Sequence, residues 1–323
     1  MSKILYSICS VSHLPYFKTM ADSFLIYNND YKIFLFLIDK IDYDLKLNDS
    51  FTIIEIDKIG VENFDEIHER YNVLELSCAM KPYAANYLFN IHKPDLLLYL
   101  DTDILVYHNF SYAESLLVEN DIVLTPHIFS EINDINLPKE SDFLNAGIFN
   151  AGFFMLKNTS NVLVFLNWWK KRMEDQCQID YINGKMLDQN WLNFVPYFFE
   201  KVSICKHLGY NFAYWNFHER DLDSINSKYF INNEYPLIFL HISGFDLSDP
   251  EKLSRHQNRF DLESLELISR IYKDYAHTLK LNNFFDYIGI KSFYEKKVVK
   301  SIGLIKFLNK ILKTFRFKLV KLN

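Results

Sequence analysis

Two aspartates one residue apart, Asp101 and Asp103, follow the apolar run Leu96–Leu100. Such a run predicts a buried strand, and carboxylates at its exit project together into the crevice beyond a sheet. The pair suits a hard divalent cation, Mg²⁺ or Mn²⁺, which takes carboxylate oxygens together with phosphate oxygens of a substrate. A departing nucleoside diphosphate needs its charge neutralised in this way. Turn aspartates are common at the same place, so the pair also has a plain structural reading. Other residues share this ambiguity. Asp188 opens a helical stretch and reads equally as an N-cap. Asn150-Ala151-Gly152 offers open backbone beside an amide, or a simple turn before a strand. Lys81 reads as a phosphate or ribose contact, or as a solvated helix lysine. His241, at the end of a late apolar strand, reads by itself as a hydrogen-bonded core residue.

The elements that must place these residues follow from hydrophobic periodicity. Residues 3–11, 32–38, 51–56 and 96–100 read as strands. Helices are predicted over 15–27, 62–70 and 74–91, the last closed by Lys93-Pro94. This βαβ rhythm predicts an α/β fold, a mostly parallel sheet flanked by helices, with ligands beyond the carboxyl ends of the strands. Residues 121–125 and 153–156 read as strands on either side of a polar, loop-like stretch over 130–142. His127 and Glu140 flank that stretch and are candidates to face a substrate. Helices are predicted over 162–173, with Trp168 and Trp169 as core or lid packing, and over 187–195. A strand is predicted over 237–242.

Composition narrows the function classes. The chain has 323 residues, 49% hydrophobic and 24% charged, as in an ordinary globular protein. Its 29 Phe and 21 Tyr must be mostly core. Cys9, Cys78, Cys177 and Cys205 are scattered with no metal-ligand spacing, which predicts reduced thiols in a cytoplasmic protein. No basic region precedes a long apolar run and no 18-residue apolar stretch occurs, so neither signal peptide nor membrane span is expected. The net charge of −6 conceals an asymmetry: residues 291–323 carry nine Lys and one Arg against one Glu, leaving −15 on the rest. An acidic body without a nucleic-acid motif argues against DNA or RNA as partner.

Four motifs occur in order: Leu98-Tyr99-Leu100-Asp101-Thr102-Asp103, Asn150-Ala151-Gly152-Phe153, Asp188-Gln189-Asn190-Trp191-Leu192-Asn193, and His241-Ile242-Ser243-Gly244. With these landmarks, over roughly residues 1–260, the chain resembles nucleotide-sugar glycosyltransferases of the GT-A fold. It looks close to family eight and its bacterial surface-polysaccharide relatives. Glu75, Lys81-Pro82 and the run Gly209-Tyr210-Asn211-Phe212-Ala213-Tyr214-Trp215-Asn216 extend the likeness to a bacterial subgroup. The resemblance implies a GT-A domain over 1–285 and metal-dependent transfer from a nucleotide sugar, with UDP as nucleotide. It makes Asp101, Asp103 and His241 the ligands of Mn²⁺ or Mg²⁺, the imidazole favouring Mn²⁺. Asp101, Thr102, Gly244, Lys81, Cys9, Ser10 and Val11 become nucleotide contacts. Asn150, Ala151, Gly152 and Asp188 become donor-sugar contacts, with Gln189 near the reacting carbon. The family retains anomeric configuration, and front-face attack by the acceptor fits a chain without an obvious carboxylate nucleophile. Tyr214 and Trp215 read as an acceptor-stacking surface or as an aromatic core corner. One departure stands out: the Lys-Pro-Trp that follows H-x-x-G in family eight is absent, and the next basic residues are Lys252 and Arg255.

Two competing readings belong to other classes. A catalytically inactive GT-A domain would bind carbohydrate or act as a scaffold. Phosphatases of the haloacid dehalogenase type also place DxD after an apolar strand, but here several strands precede it and position 105 is Leu.

From Tyr294 on, apolar Val298, Ile302, Ile305, Leu308, Leu312, Phe315, Leu319 and Leu322 recur at helical spacing with lysines largely on the other side. Segment 286–323 therefore reads as a basic amphipathic helix for an anionic membrane surface. Docking on the body or dimerisation are its plainer roles. The expected place of the protein is the inner face of the cytoplasmic membrane, with a glycan or lipid-linked glycan as acceptor.

Overall fold

The computed structural model describes residues 1–41 and 50–296. Its centre is a seven-stranded sheet. In chain order the strands are β1 (Lys3–Cys9), β2 (Tyr31–Leu37), β3 (Phe51–Glu55), β4 (Leu96–Leu100), β6 (Ile122–Pro126), β7 (Phe149–Lys157) and a short strand Val202–Ile204, with β5 (Ile104–Val106) outside this sheet. Across the sheet the order is Val202–Ile204, β6, β7, β4, β1, β2, β3. Only β7 runs against the others within it. The sheet is mixed but mostly parallel, as predicted. Every residue of β4 is buried, which is why its sequence reads as a continuous apolar run.

Two apolar layers cover the sheet. Alternate strand residues feed a face packed by Leu88, Phe165, Leu166 and Trp169, and the opposite face meets Phe17, Met20 and Phe24 of α1 (Leu14–Tyr27). Trp169 is core packing, not a lid.

Four predicted elements differ in ways that matter for the site. The helix expected over 74–91 is two, α3 (Val73–Ala79) and α4 (Lys81–Ile91), with α2 (Phe64–Arg70) before them. Pro82 has no N–H to continue the ladder and its ring crowds the carbonyl a turn earlier, so the helix restarts at Lys81. The strand expected from Phe153 begins at Phe149, because Phe149 pairs with Pro126 across a register shift. Asn150, Ala151 and Gly152 are thus strand residues, not a turn. The stretch over 130–142 already contains the start of a helix, Glu140–Ala146. Finally, 187–195 is a 3₁₀ turn Gln189–Phe194 leading into a short helix Val195–Phe198.

The late strand is Phe239–His241. It pairs antiparallel with β5, so that His241 faces Ile104, and Ile242 N donates to Asp103 O at 2.8 Å. A 137-residue excursion thereby returns a histidine beside the aspartate pair. The chain then returns to the β1–β2 end: Asp39 accepts from Val11 N at 3.0 Å and from Phe293 N at 2.6 Å. Ser292 Oγ donates to Ile38 O at 2.8 Å, and Tyr294 packs edge-on against Phe64. The basic helical pattern lies mostly in 297–323, outside the described residues. Among the described residues no helix is long and apolar enough to cross a membrane.

Candidate active site

The carboxyl ends of β1 and β4, the end of β6 and the start of β7 share one sheet edge. There Asp101, Asp103 and His241 each offer a ligand atom, all within 4.8 Å of one another. His241 Nε2 lies 3.1 Å from Asp103 Oδ1. Burial works against the charge on both groups, yet their attraction prevails. It holds the Asp103 carboxyl below its ordinary value and lifts the imidazole above its own. Two half-exposed hard carboxylates and one buried imidazole suit Mn²⁺ or Mg²⁺.

Gly152 keeps the cluster open. A Cβ there would stand 2.6 Å from His241 Cε1, 2.7 Å from Asn150 Oδ1 and 2.8 Å from Asp101 Oδ2. Gly152→Ala must therefore push the ligands apart. We expect Mn²⁺ to bind about 10–100-fold more weakly, a loss typical of disturbed ligand orientation, as read by titration of the metal against the purified protein. Unchanged Mn²⁺ affinity would separate Gly152 from the cluster.

Behind the cluster lies a charged layer that is almost dry. Lys81 is 3% exposed and Asp188 2%. The Lys81 ammonium donates to Ala151 O at 3.0 Å, pairs with Asp188 at 3.0 Å and Asp101 at 3.4 Å, and sits 4.6 Å above the Tyr99 ring. Tyr99 OH donates to Asp101 Oδ1 at 2.6 Å. Burial opposes the lysine charge, but Asp101 and Asp188 raise its pKa. Burial raises Asp188 in spite of Lys81. Lys81 is thus no solvated helix lysine, and Asp188, although it stands at the N-cap position of the 3₁₀ turn, makes no side-chain cap hydrogen bond there.

Gln189 is a strut in this arrangement. Its Oε1 accepts from Ala151 N at 3.1 Å and its Nε2 donates to Ala146 O at 2.9 Å. Asn150 Oδ1 accepts from Gly152 N at 2.6 Å. Trp215 is 4% exposed and turns its edge to His241 at 5.1 Å, so it braces the imidazole and presents no open stacking face. Tyr214 is equally buried beside it. Asn216 knots this loop by donating to His127 O at 3.0 Å and Asn211 O at 2.8 Å. At and just beyond the end of β1, Cys9, Ser10 and Val11 are all buried, and Ser10 Oγ contacts Ser12 Oγ at 2.9 Å. Thr102 is buried between the two aspartates.

Gly244, at φ +73, makes the turn that brings the following loop back: Arg255 N donates to its carbonyl at 3.1 Å. The exposed Arg255 side chain acts electrostatically on His13, Tyr16 and Tyr214, which also feel Asp103. A cation thus stands near the cluster although the usual motif is missing. Sequence reasoning gave no role to Tyr99 or Asp39, and it turned His127 toward a substrate, whereas the structure buries it. Tyr99 was the one polar-tipped residue in an all-leucine strand, and Asp39 follows an apolar strand much as Asp101 does.

No family model matches the chain. It is 27% identical over 189 residues to YfnF, an uncharacterized protein of Bacillus subtilis (strain 168), covering 56% of this chain and 60% of YfnF, which is less than two thirds of that protein. It is 23% identical over 287 residues to YfnD, uncharacterized in the same organism, covering 85% and 88%. Among solved structures, the bifunctional glycosyltransferase WbbM superposes with a TM-score of 0.51 at 12% identity, over 86% of this chain and 49% of WbbM. The architecture is that of a GT-A-like glycosyltransferase.

Proposed function

We propose that the chain transfers a sugar from a nucleotide-sugar donor, with UDP as its nucleotide, to a glycan or lipid-linked glycan of bacterial surface polysaccharide. The observation that carries this reading is the convergence of Asp101, Asp103 and His241 on Gly152, with the buried Lys81–Asp188 pair behind them. These three ligands fit Mn²⁺ best and Mg²⁺ acceptably. Such an ion, when bound, neutralises the diphosphate of the leaving nucleotide. Arg255 adds positive charge on the same side, in place of the family lysine. Asp188, buried behind the cluster and paired with Lys81, is assigned to the donor-sugar side by the resemblance, and its charge suits an oxocarbenium-like transition state. Gln189 keeps the wall rigid. As in the family the chain resembles, the acceptor would attack from the front face and the anomeric configuration would be retained. The basic pattern of 286–323 supports attachment to an anionic inner membrane leaflet, where a lipid-linked acceptor would be met.

The test is thermal melting with UDP and a panel of UDP-sugars, each with Mn²⁺ or EDTA. Hundredfold excess over Kd stabilises by about 2.7 kcal/mol, so one nucleotide is expected to raise the melting temperature with Mn²⁺ only. Product linkage by NMR should match the donor's anomer. No shift with any nucleotide favours the inactive carbohydrate-binding reading, and release of phosphate from a monoester favours the phosphatase.

A further inference from the structure

His127, directly after β6, is buried behind the start of β7, the wall formed by Asn150-Ala151-Gly152. Its ring stacks on Phe143 at 5.2 Å and meets Trp215 edge-on at 5.3 Å. Nδ1 lies 3.0 Å from Ile148 O. A carbonyl oxygen can only accept, so Nδ1 carries the proton. In the neutral ring Nε2 is then bare, and it accepts from Asn150 Nδ2 at 3.2 Å. The Asn150 amide is thereby oriented, and its Oδ1 must turn to Gly152 N, 2.6 Å away. Burial keeps the ring neutral by pushing its pKa down to about 4.

The opposite tautomer would set two N–H groups against each other. Asn150 would have to flip, and its NH₂ would then face the Gly152 N–H. Gly152 cannot move freely, because its Cα lies under His241 and Asp101. The rest of the wall is already pinned: Ala151 N by Gln189, Ala151 O by Lys81, and Ile148 N by Asn193 Oδ1 at 2.8 Å.

We infer that His127 is a positioning residue for sugar transfer: its Nδ1–H tautomer sets the Asn150 amide and so holds Gly152 beneath the metal-ligand cluster. The inference rests on the transfer reading for its consequence, but not for its geometry.

Two measurements test it. Long-range ¹⁵N–¹H correlation on the full chain at pH 7 should find His127 protonated on Nδ1 and bare on Nε2; a proton on Nε2 overturns the inference whether or not the protein is active. The second compares two amides, since Gln reaches the place of Nε2 and Asn that of Nδ1. His127→Gln should keep kcat within about 3-fold, whereas His127→Asn should lower kcat by about 30-fold with donor KM within about 3-fold, as misplacement of a reacting group does. In an Asn150→Ala background the His127→Asn change should cost less than about 2-fold more, because the two act through one bond. Equal losses in the Gln and Asn variants, or additive losses with Asn150→Ala, overturn it. A wild type that transfers no sugar fails the functional reading, and the tautomer then decides this one alone.

Discussion

Asp103→Ala is expected to remove the Mn²⁺-dependent rise in melting temperature with nucleotide and to lower sugar transfer by about 10²–10³-fold, the equivalent of several kcal/mol of lost charge stabilisation. The unliganded protein should melt close to the wild type, since the Asp103 side chain is 30% exposed and its main partner is one imidazole. The reason for so large a functional effect is the geometry. Asp103 is the residue that joins β4 to the late strand, both through its carboxylate and through its backbone carbonyl. The carboxylate can be deleted without touching the carbonyl, so the variant separates ligation from folding. Asp103→Asn keeps the shape and an oxygen ligand but loses the charge, and should fall between the two. Full nucleotide-dependent stabilisation in Asp103→Ala, equal with Mn²⁺ and EDTA, would remove the metal from the mechanism.

What was legible beforehand divides along a physical line. Strands such as β4 announce themselves because a strand buried on both faces must be apolar throughout, and the Asp101–Asp103 pair is conspicuous only because that run ends there. The helix boundary at Met80 is legible in principle through Pro82, but the apolar periodicity runs on to Lys93-Pro94 and reads as one long helix. The rest depends on contacts between distant segments. Nothing local in Asn150-Ala151-Gly152 says strand; the pairing of Phe149 with Pro126 makes it one. Nothing local to Trp215 says whether its ring faces a sugar or His241, because burial is decided by the loop that Asn216 ties to His127 and Asn211. His127 itself has a role only through the register of β6 on β7. The charges of Lys81 and Asp188, 107 residues apart, could be recognised as a pair only once the helix was known to restart at Lys81, which places the ammonium against Asp188.

That pair gives the largest expected effect on stability. Lys81→Met keeps the apolar stem of the side chain and removes the charge, leaving Asp188 ionised, buried and facing Asp101. Breaking a buried ion pair on one side costs about 3–5 kcal/mol, whereas replacing both partners with neutral groups of similar volume is often nearly neutral. Lys81→Met should thus be destabilised by that amount in urea titrations at pH 7.5. The double variant Lys81→Met/Asp188→Asn should recover to within about 1 kcal/mol of the wild type, a non-additivity expected of contacting charges. Neither protein should transfer sugar. The pH dependence has a definite sign. Burial already holds the Asp188 carboxyl above its ordinary value in the presence of Lys81, so its ionised form costs stability, a cost absent at acid pH and growing as pH rises through the raised pKa. Without the lysine this cost increases, and the deficit of Lys81→Met should be larger at pH 7.5 than at pH 5. A deficit that is independent of pH and survives in the double variant would mean that the lysine stem, rather than its charge, holds α4 against the sheet.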